Sequence, residues 1–184
     1  MAARPGDVLS FWVSAGPSQW FAAKPAFDEA IRLKFEATHF AAARGEYDDW
    51  RSSAEGALAL LILLDQFPRN LFRGSAHSYA TDPLARAVTR EAIAAGFDRA
   101  TEAQLRPFFY LPFEHSESLA DQDEGIAHCE ALAREAGDED TLKWARLHRD
   151  IIARFGRFPH RNHALGRAMT AAEQAFLDEG GFSG

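Results

Sequence analysis

Cysteine is almost missing from this sequence, and so are the long apolar runs that identify membrane proteins. The single cysteine, Cys129, cannot form a disulfide within the chain and is typical of a reducing compartment. The longest aliphatic run, residues 57–64, falls far short of the roughly 20 residues that cross a bilayer. No export signal is recognisable either. The sequence therefore predicts a cytoplasmic protein with no membrane partner, in which Cys129 is a core thiol.

Basic residues are too few and too scattered for a nucleic-acid-binding protein. The chain has 20 lysines and arginines against 27 acidic residues, a formal net charge of −7, so a phosphate backbone would be repelled. Phosphate-binding loops, dinucleotide glycine patterns and the serine nucleophile elbow are also missing. Neither a His-Glu-x-x-His helix nor a pair of cysteines occurs, so we assign no metal ligands and can name no cofactor. The alternative stays open that His115, Glu117 and His148 meet and offer a metal two imidazoles and a carboxylate.

No segment alternates polar and apolar residues as a strand does, whereas helical spacing recurs along the whole chain. Between Pro25 and Gly45, for example, apolar residues repeat every four positions. The sequence predicts an all-α protein with one domain over residues 1–184, a compact bundle of about seven to nine helices in antiparallel hairpins. We expect the tail 180–184 to be mobile.

Prolines and acidic residues predict where several of these helices begin and end. Asp7 is expected to cap the first helix. A helix that is apolar on all sides is predicted from about Ser53 to Phe67, where Pro68 should end it. The aromatic passage 108–113 follows Pro107 and contains Pro112, which predicts a buried turn or a broken helix.

Polar residues follow this apolar helix directly. Asp65 should leave the helix beside the core, where a carboxylate must be paired or hydrogen-bonded, and Arg69 is four residues further on. One interpretation is a salt bridge that locks the helix end. The other is that Asp65 orients Arg69 to bind a carboxylate or phosphate of a ligand, with Asn70 beside it. Both interpretations stay open.

Histidines beside carboxylates form a second group of candidates. His115 and Glu117 follow the aromatic passage, and His148 falls on the apolar face of a helix predicted over about 139–155. An imidazole beside a carboxylate can act as an acid, a base or a metal ligand. For His148, a hydrogen-bonded core histidine is the competing interpretation.

A third polar cluster, His160, Arg161 and Asn162, lies in a variant of the motif that contains Arg69 and Asn70. We call the stretch around Arg69 and Asn70 the first motif. The sequence reads Phe-Pro-Arg-Asn at 67–70 and Phe-Pro-His-Arg-Asn at 158–162. The second copy is locally basic in an acidic protein, which suits an anionic group on a small molecule or at a peptide terminus. The alternative is a solvated loop that caps the preceding helix. Whether the two motifs are a true duplication also stays open.

Three long strings together resemble a known family. LLDQFPRNLFRG at 63–74, FFYLPFEHSES at 108–118 and RFGRFPHRNHALGR at 154–167 are similar, in order and spacing, to the bacterial "domain of unknown function 924" family. The resemblance implies an all-helical fold of the tetratricopeptide-like superfamily and no established activity. The family usually has methionine where this chain has Glu114, so Glu114 is a weaker candidate than His115 and Glu117.

The function that the sequence favours is a polar pocket that binds a small anionic ligand, built from Asp65, Arg69, His115, Glu117, His148 and Arg161. Within it we expect His115, Glu117 and Asp65 to be catalytic if the protein is an enzyme, a question the sequence leaves open. The residues expected to bind the ligand are Arg69, Asn70, His148, His160, Arg161 and Asn162. The alternative is a tetratricopeptide-like module that binds a protein or peptide, with both Phe-Pro motifs as structural braces. The oligomeric state is not predicted.

Overall fold

The computed structural model describes residues 3–184, and its regular elements in that range are helices. The first two residues of the predicted domain lie outside the described residues. The α-helices are α1 Pro5–Ala15, α2 Pro17–Trp20, α3 Pro25–Ala43, α4 Ala54–Leu61, α5 Phe67–Leu71, α6 Asp82–Ala94, α7 Pro107–Glu114, α8 Leu119–Ala136, α9 Glu139–Phe155 and α10 Ala171–Asp178. Short 3₁₀ turns occupy Asp48–Ser52, Ala76–Tyr79, Ala103–Leu105 and Pro159–Arg161. A π turn, Ile62–Gln66, joins α4 to α5.

The prediction of an all-α protein is confirmed for the described part of the chain. When α4, the π turn and α5 are counted as one continuous helix, residues 3–184 contain 9 helices, within the predicted range. The chain divides into two compact units. The first comprises the described residues up to Arg73 together with His77–Pro112, and the second comprises Gly74–Ala76 with Phe113–Gly184. The single-domain organisation stays a prediction.

In the first unit, α4 is the buried central helix. Every side chain from Ala57 to Leu64 is at most 3% exposed, and α1 and α6 pack against this helix. Gly56 allows the closest approach, because a Cβ atom there would lie 2.1 Å from the backbone oxygen of Trp50. The helix therefore rests directly on the 3₁₀ turn Asp48–Ser52. This confirms the prediction that the apolar helix is surrounded by other elements.

Pro68 does not end this helix, contrary to the prediction. The chain passes through the π turn into α5, where Pro68 occupies the first turn. The amide of Phe67 donates to the carbonyl of Ile62, five residues earlier, instead of to the carbonyl four residues earlier. This wider turn accommodates the proline ring, which in a regular helix clashes with the carbonyl four residues before it.

Two further helix predictions are corrected. Asp7 is not the cap of α1, which begins at Pro5; Asp7 lies in the first turn, 2.9 Å from the Arg4 guanidinium. The aromatic passage is not a broken helix either, since α7 continues through Pro112. An interior proline costs about 3 kcal/mol. Burial of a large apolar side chain contributes roughly 1.5–3 kcal/mol to stability. The four aromatic side chains of α7 are at most 5% exposed, so their burial offsets the cost of Pro112.

In the second unit, α8 and α9 form a helical hairpin. Gly137, with φ of 74°, ends α8, and the Asp138 side chain caps α9 by accepting from the Thr141 amide. A capping box between Thr170 and Glu173 starts α10, as the spacing of these two residues indicates. Ile151, Ile152 and Phe158 form the buried core of this unit, with Leu147, Phe155, Phe176 and Phe182 packed against it. Phe182 belongs to the tail predicted to be mobile, and that mobility stays a prediction.

Candidate functional site

The π turn leaves backbone carbonyls that side chains satisfy. Pro68 has no N–H for the Leu64 carbonyl four residues before it, and the Thr81 hydroxyl donates to that oxygen at 2.5 Å. The Leu63 carbonyl, bypassed by the π turn, accepts from Nδ1 of His39 at 2.8 Å. These carbonyls are buried, so losing either partner would leave an unsatisfied polar group. Two distant elements, α3 and the chain before α6, therefore hold the π turn in place.

His39 is a core histidine in its neutral form. A carbonyl only accepts, so Nδ1 carries the proton in this bond. The side chain is 2% exposed, and burial lowers the pKa of His39 by more than its bond to the Leu63 carbonyl raises it. Neutral His39 thus acts as a fixed hydrogen-bond donor to the π turn. Sequence reasoning did not identify it, because no polar pattern surrounds it in α3.

Arg69 lies between two buried carboxylates in the first unit. Its Nη1 is 3.3 Å from Oδ1 of Asp65, and Nη2 is 3.2 Å from Oδ1 of Asp82. Nη1 also donates to the backbone oxygen of Asp65. Gln66 supports the pair by donating to Oδ2 of Asp65 at 2.6 Å. The cluster of Asp65, Arg69 and Asp82 carries one more negative than positive charge.

The first motif therefore has the contacts of a structural brace. Asp65 and Arg69 are brought together, as predicted, and a second carboxylate completes their contact. Asn70 donates to Oδ1 of Asp28 at 2.8 Å, and this joins α5 to α3. The guanidinium of Arg69 already faces two carboxylates, which does not favour an anionic ligand there. The catalytic role of Asp65 and the ligand-binding roles of Arg69 and Asn70 stay predictions.

In the second unit, His148 is paired with Glu114. Nδ1 of His148 is 2.6 Å from Oε1 of Glu114, and both side chains are less than 10% exposed. The same nitrogen is 2.9 Å from the Trp144 carbonyl. Glu114 is the residue that sequence reasoning ranked below His115 and Glu117. The signal that could have found it is its position at the end of a buried aromatic helix, where a carboxylate needs a partner.

Other predicted residues gather around the buried ring of Phe158. Glu117 accepts from the Phe158 amide at 2.8 Å and from Nη1 of Arg167 at 2.7 Å. Burial raises the pKa of Glu117, but these hydrogen bonds outweigh it and leave the pKa lowered. The Arg161 guanidinium lies 4.4 Å from the ring centroid of Phe158, and the His160 ring centroid lies at 5.6 Å.

Asn162 and His115 complete the predicted set. Asn162 is fully buried and accepts from Nε of Arg167 at 2.9 Å. His115 is half-buried just after α7. The second unit thus brings His148, Glu117, His160 and Arg161 around Phe158, and Asn162 joins them through Arg167. Sequence reasoning missed the role of Arg167, which holds Glu117, Asn162 and the Phe158 carbonyl together.

A groove of about 520 Å³ lies between α9 and α10 and is completed by residues 180–182. Its apolar lining includes the rings of Phe155, Phe176 and Phe182. Its charged lining comes from one face of α9 and consists of Lys143, Arg146, Asp150 and Arg154. We call this the α9/α10 groove.

A second groove lies in the first unit, between α1 and α3, with a volume of about 1010 Å³. Phe11 is among its lining residues, stacked on Phe27 and edge-on to Phe35. Lys34 lies over the Phe11 ring at 5.0 Å, and Lys24 also lines the groove. We call this the α1/α3 groove.

Within residues 3–184, no three histidine, cysteine, aspartate or glutamate side chains are grouped as a metal site requires. Burial raises the pKa of the Cys129 thiol, and the charge of Glu114 adds to this effect, so the thiol is protonated. No helix of the described chain has both the length and the apolar character needed to span a membrane.

Fold and clusters together define an all-helical protein whose buried polar side chains pair with one another near helix ends, with an open groove in each of its two units. The chain belongs to the family described as bacterial protein of unknown function (DUF924), whose model matches residues 8–181. The resemblance read from the three sequence strings is therefore confirmed. A solved structure of a protein of unknown function from Agrobacterium tumefaciens is similar, with 50% sequence identity and a TM-score of 0.88, covering 95% of this chain and 97% of that one. No curated protein matches the chain.

Proposed function

We propose that this protein binds a small molecule that combines an anionic group with an apolar body, and that the α9/α10 groove holds it. The observation that carries the proposal is that two cations without a carboxylate partner, Lys143 and Arg154, line the same groove as three aromatic rings. This proposal keeps the ligand class that the sequence predicts. It moves the anion-binding role to residues of α9 that sequence reasoning did not select.

The charges of the groove favour an anion. Lys143 and Arg154 form no ion pair within the described chain, whereas Arg146 is 3.0 Å from Glu130. Asp150 is the one acidic lining residue, and Glu130 offsets the charge of Arg146, so the groove keeps one more positive than negative charge. In a chain of net charge −7 this is a local reversal of sign, which attracts anions to this face.

The lining favours an apolar body beside the anionic group. The Arg154 guanidinium lies 4.6 Å from the ring centroid of Phe155 and 5.6 Å from that of Phe176, so cation and aromatic surface adjoin. The rings of Phe155 and Phe176 pack with centroids 5.2 Å apart. A volume of about 520 Å³ lies within the range of roughly 300–1,000 Å³ that small-molecule sites occupy.

The test is a titration of the isotopically labelled full chain with sodium octanoate, followed through the amide NMR spectrum. We expect shifts confined to the amides of α9, of α10 around Phe176 and of residues 180–182. The substitutions Lys143→Gln and Arg154→Gln should each weaken binding by about two- to fivefold, since an exposed ion pair contributes about 0.5–1 kcal/mol.

The matched control is Arg134→Gln, because Arg134 is an exposed cation of α8 that does not line the groove. It should leave octanoate binding unchanged. Neutral octanamide should bind more weakly than octanoate. Equal binding of the two probes, or shifts confined to other parts of the chain, would contradict the proposal.

The α1/α3 groove favours a second candidate function, the binding of a helical peptide. Its volume is about twice that of the α9/α10 groove, and α1, at 11 residues, offers a trough about 16 Å long. Lys24 and Lys34 favour acidic residues on the peptide. Ala26→Glu, in the lining, should weaken binding of a synthetic amphipathic peptide of leucine and glutamate, while Ala37→Glu, on α3 outside the lining, should not.

A further inference from the structure

The contacts of His148 leave one of its two ring nitrogens available. Nδ1 faces the Glu114 carboxylate at 2.6 Å and the Trp144 carbonyl at 2.9 Å, and both are acceptors. Nδ1 therefore carries a proton, and Nε2 is the nitrogen that can exchange a proton with another molecule. A carboxylate on Nδ1 also stabilises the imidazolium that forms when Nε2 accepts a proton.

The surroundings of this pair are aromatic. The rings of Phe182 and Phe158 meet the imidazole edge-on, with centroids at 4.5 and 5.6 Å. Cys129 of α8 lies close enough for the charge of Glu114 to raise the pKa of its thiol. The His160 ring is 5.2 Å from Phe182, on the side of the 3₁₀ turn. Phe182 is thus the ring that packs closest to the imidazole.

Phe182 also lines the α9/α10 groove, so a single side chain lies against both the groove and the buried pair. The segment that carries it turns sharply after α10. Gly180 has φ of 82°, and a Cβ atom on Gly181 would lie 2.5 Å from the Phe176 carbonyl oxygen. These two glycines allow the chain to double back and bring Phe182 over His148.

We propose that His148 and Glu114 form an acid–base site for the molecule held in the groove, and that Phe182 covers this site. When the ring moves aside, Nε2 of His148 takes a proton from an acidic group of the bound anion. The Nδ1–H bond to Glu114 persists, and the imidazolium returns the proton in the reverse step. That the molecule in the groove is an anion rests on the proposed function. The covering role of Phe182 and the pairing of His148 with Glu114 can be tested without any ligand.

The test is modification of histidines by diethyl pyrocarbonate, quantified for each residue by peptide mass spectrometry. In the unmodified sequence His148 should react far more slowly than the exposed His163, which serves as the internal reference. Phe182→Ala should speed the reaction of His148 by about tenfold and leave His163 unchanged. Phe182→Leu, which keeps an apolar cover, should restore most of the protection.

The matched control is Phe176→Ala, because Phe176 also lines the groove but packs on Phe155. It should leave His148 protected. Full protection of His148 in Phe182→Ala, or equal reactivity in both alanine variants, would overturn the role of Phe182 as the cover. Far-UV circular dichroism and thermal melting identify any variant that unfolds, and the leucine variant then provides the comparison.

The pairing of His148 with Glu114 is tested by a separate substitution. In the Phe182→Ala background, Glu114→Gln should change the rate at which His148 is modified, because the imidazole loses the carboxylate that lies 2.6 Å from Nδ1 and fixes the proton there. An unchanged rate would overturn the pairing. Addition of octanoate to the Phe182→Ala variant should slow the reaction of His148, because a ligand held in the groove shields the uncovered imidazole. If octanoate fails to bind at all, the proposed function fails, while the results for Phe182 and Glu114 still decide this inference.

Discussion

Replacement of Arg69 by methionine tests whether the first motif is a structural brace. Methionine keeps a long apolar side chain, so the substitution removes mainly the charge and its hydrogen bonds. The two carboxylates that face the guanidinium, at 3.3 Å for Asp65 and 3.2 Å for Asp82, are 1% and 7% exposed. After the substitution both charges would stay buried without their cation.

The expected loss of stability follows from these distances. At an effective dielectric constant of about 20, two unit charges at this separation attract by roughly 5 kcal/mol. The cost of desolvating the guanidinium offsets part of this attraction. Removal of one partner from a buried ion pair costs about 3–5 kcal/mol, and we expect that loss here. For a chain of this size it corresponds to a fall in melting temperature of roughly 6–20 °C.

Urea unfolding at neutral pH, followed by far-UV circular dichroism, measures this loss. The matched control is Arg44→Met, because Arg44 and its partner Glu46 are 61% and 52% exposed, and such a pair contributes less than about 1 kcal/mol. Adding Asp65→Asn and Asp82→Asn to Arg69→Met should recover part of the stability. A loss no greater than that of Arg44→Met would refute the brace and return Arg69 to the ligand-binding interpretation.

Three further substitutions test the packing around the same motif. Thr81→Val should cost about 1–3 kcal/mol in urea unfolding, because the buried Leu64 carbonyl loses its donor. Since the pKa of His39 is lowered in the fold, the unfolded chain binds the proton more readily. The free energy of unfolding should therefore fall as pH drops below about 6.5, by at most about 1.4 kcal/mol per unit, and His39→Asn should remove this part of the slope. Gly56→Ala should cost about 3 kcal/mol, because its Cβ would overlap the Trp50 carbonyl oxygen.

Each of these predictions has a clear contrary result. For Gly56 the control is Gly6→Ala, where the nearest atom to the new Cβ is a side-chain oxygen of Glu55 at 3.2 Å. A loss at Gly56 as small as that at Gly6 would contradict the close approach of α4 to the 3₁₀ turn. An unchanged pH slope in His39→Asn would show that His39 is not the group responsible. Full stability of Thr81→Val would mean that the Leu64 carbonyl has another donor.

Helix positions were predictable because their signals are local. The helical spacing of apolar residues between Pro25 and Gly45, for example, acts over one or two turns of α3. The prediction was wrong where tertiary contacts outweigh a local rule. Pro68 should end a helix by its effect on the preceding residue, yet Thr81, 17 positions from the carbonyl it binds, helps to stabilise a π turn that keeps the chain helical.

The candidate site was predictable only in part, because residue types are visible in a sequence and their partners are not. Asp65 and Arg69 are four residues apart, so their contact followed from spacing. Glu114 and His148 are 34 positions apart, and no spacing rule joins them. The α9/α10 groove is harder still, since Lys143 and Arg154 are ordinary exposed residues of α9 and no spacing rule places the rings of Phe176 and Phe182 in the same lining.

The two Phe-Pro motifs show which features their shared residues dictate. In both, proline occupies the first turn of a short helical segment, and the asparagine that ends the motif is buried, at 5% exposure for Asn70 and 0% for Asn162. The arginines have different neighbours: Arg69 lies between Asp65 and Asp82, whereas Arg161 lies over the ring of Phe158 and its charge helps to lower the pKa of Glu117. Proline geometry and the demand of a buried amide for partners thus account for the similarity, whatever its origin. Because the two arginines have different neighbours, a test on one motif does not decide the role of the other.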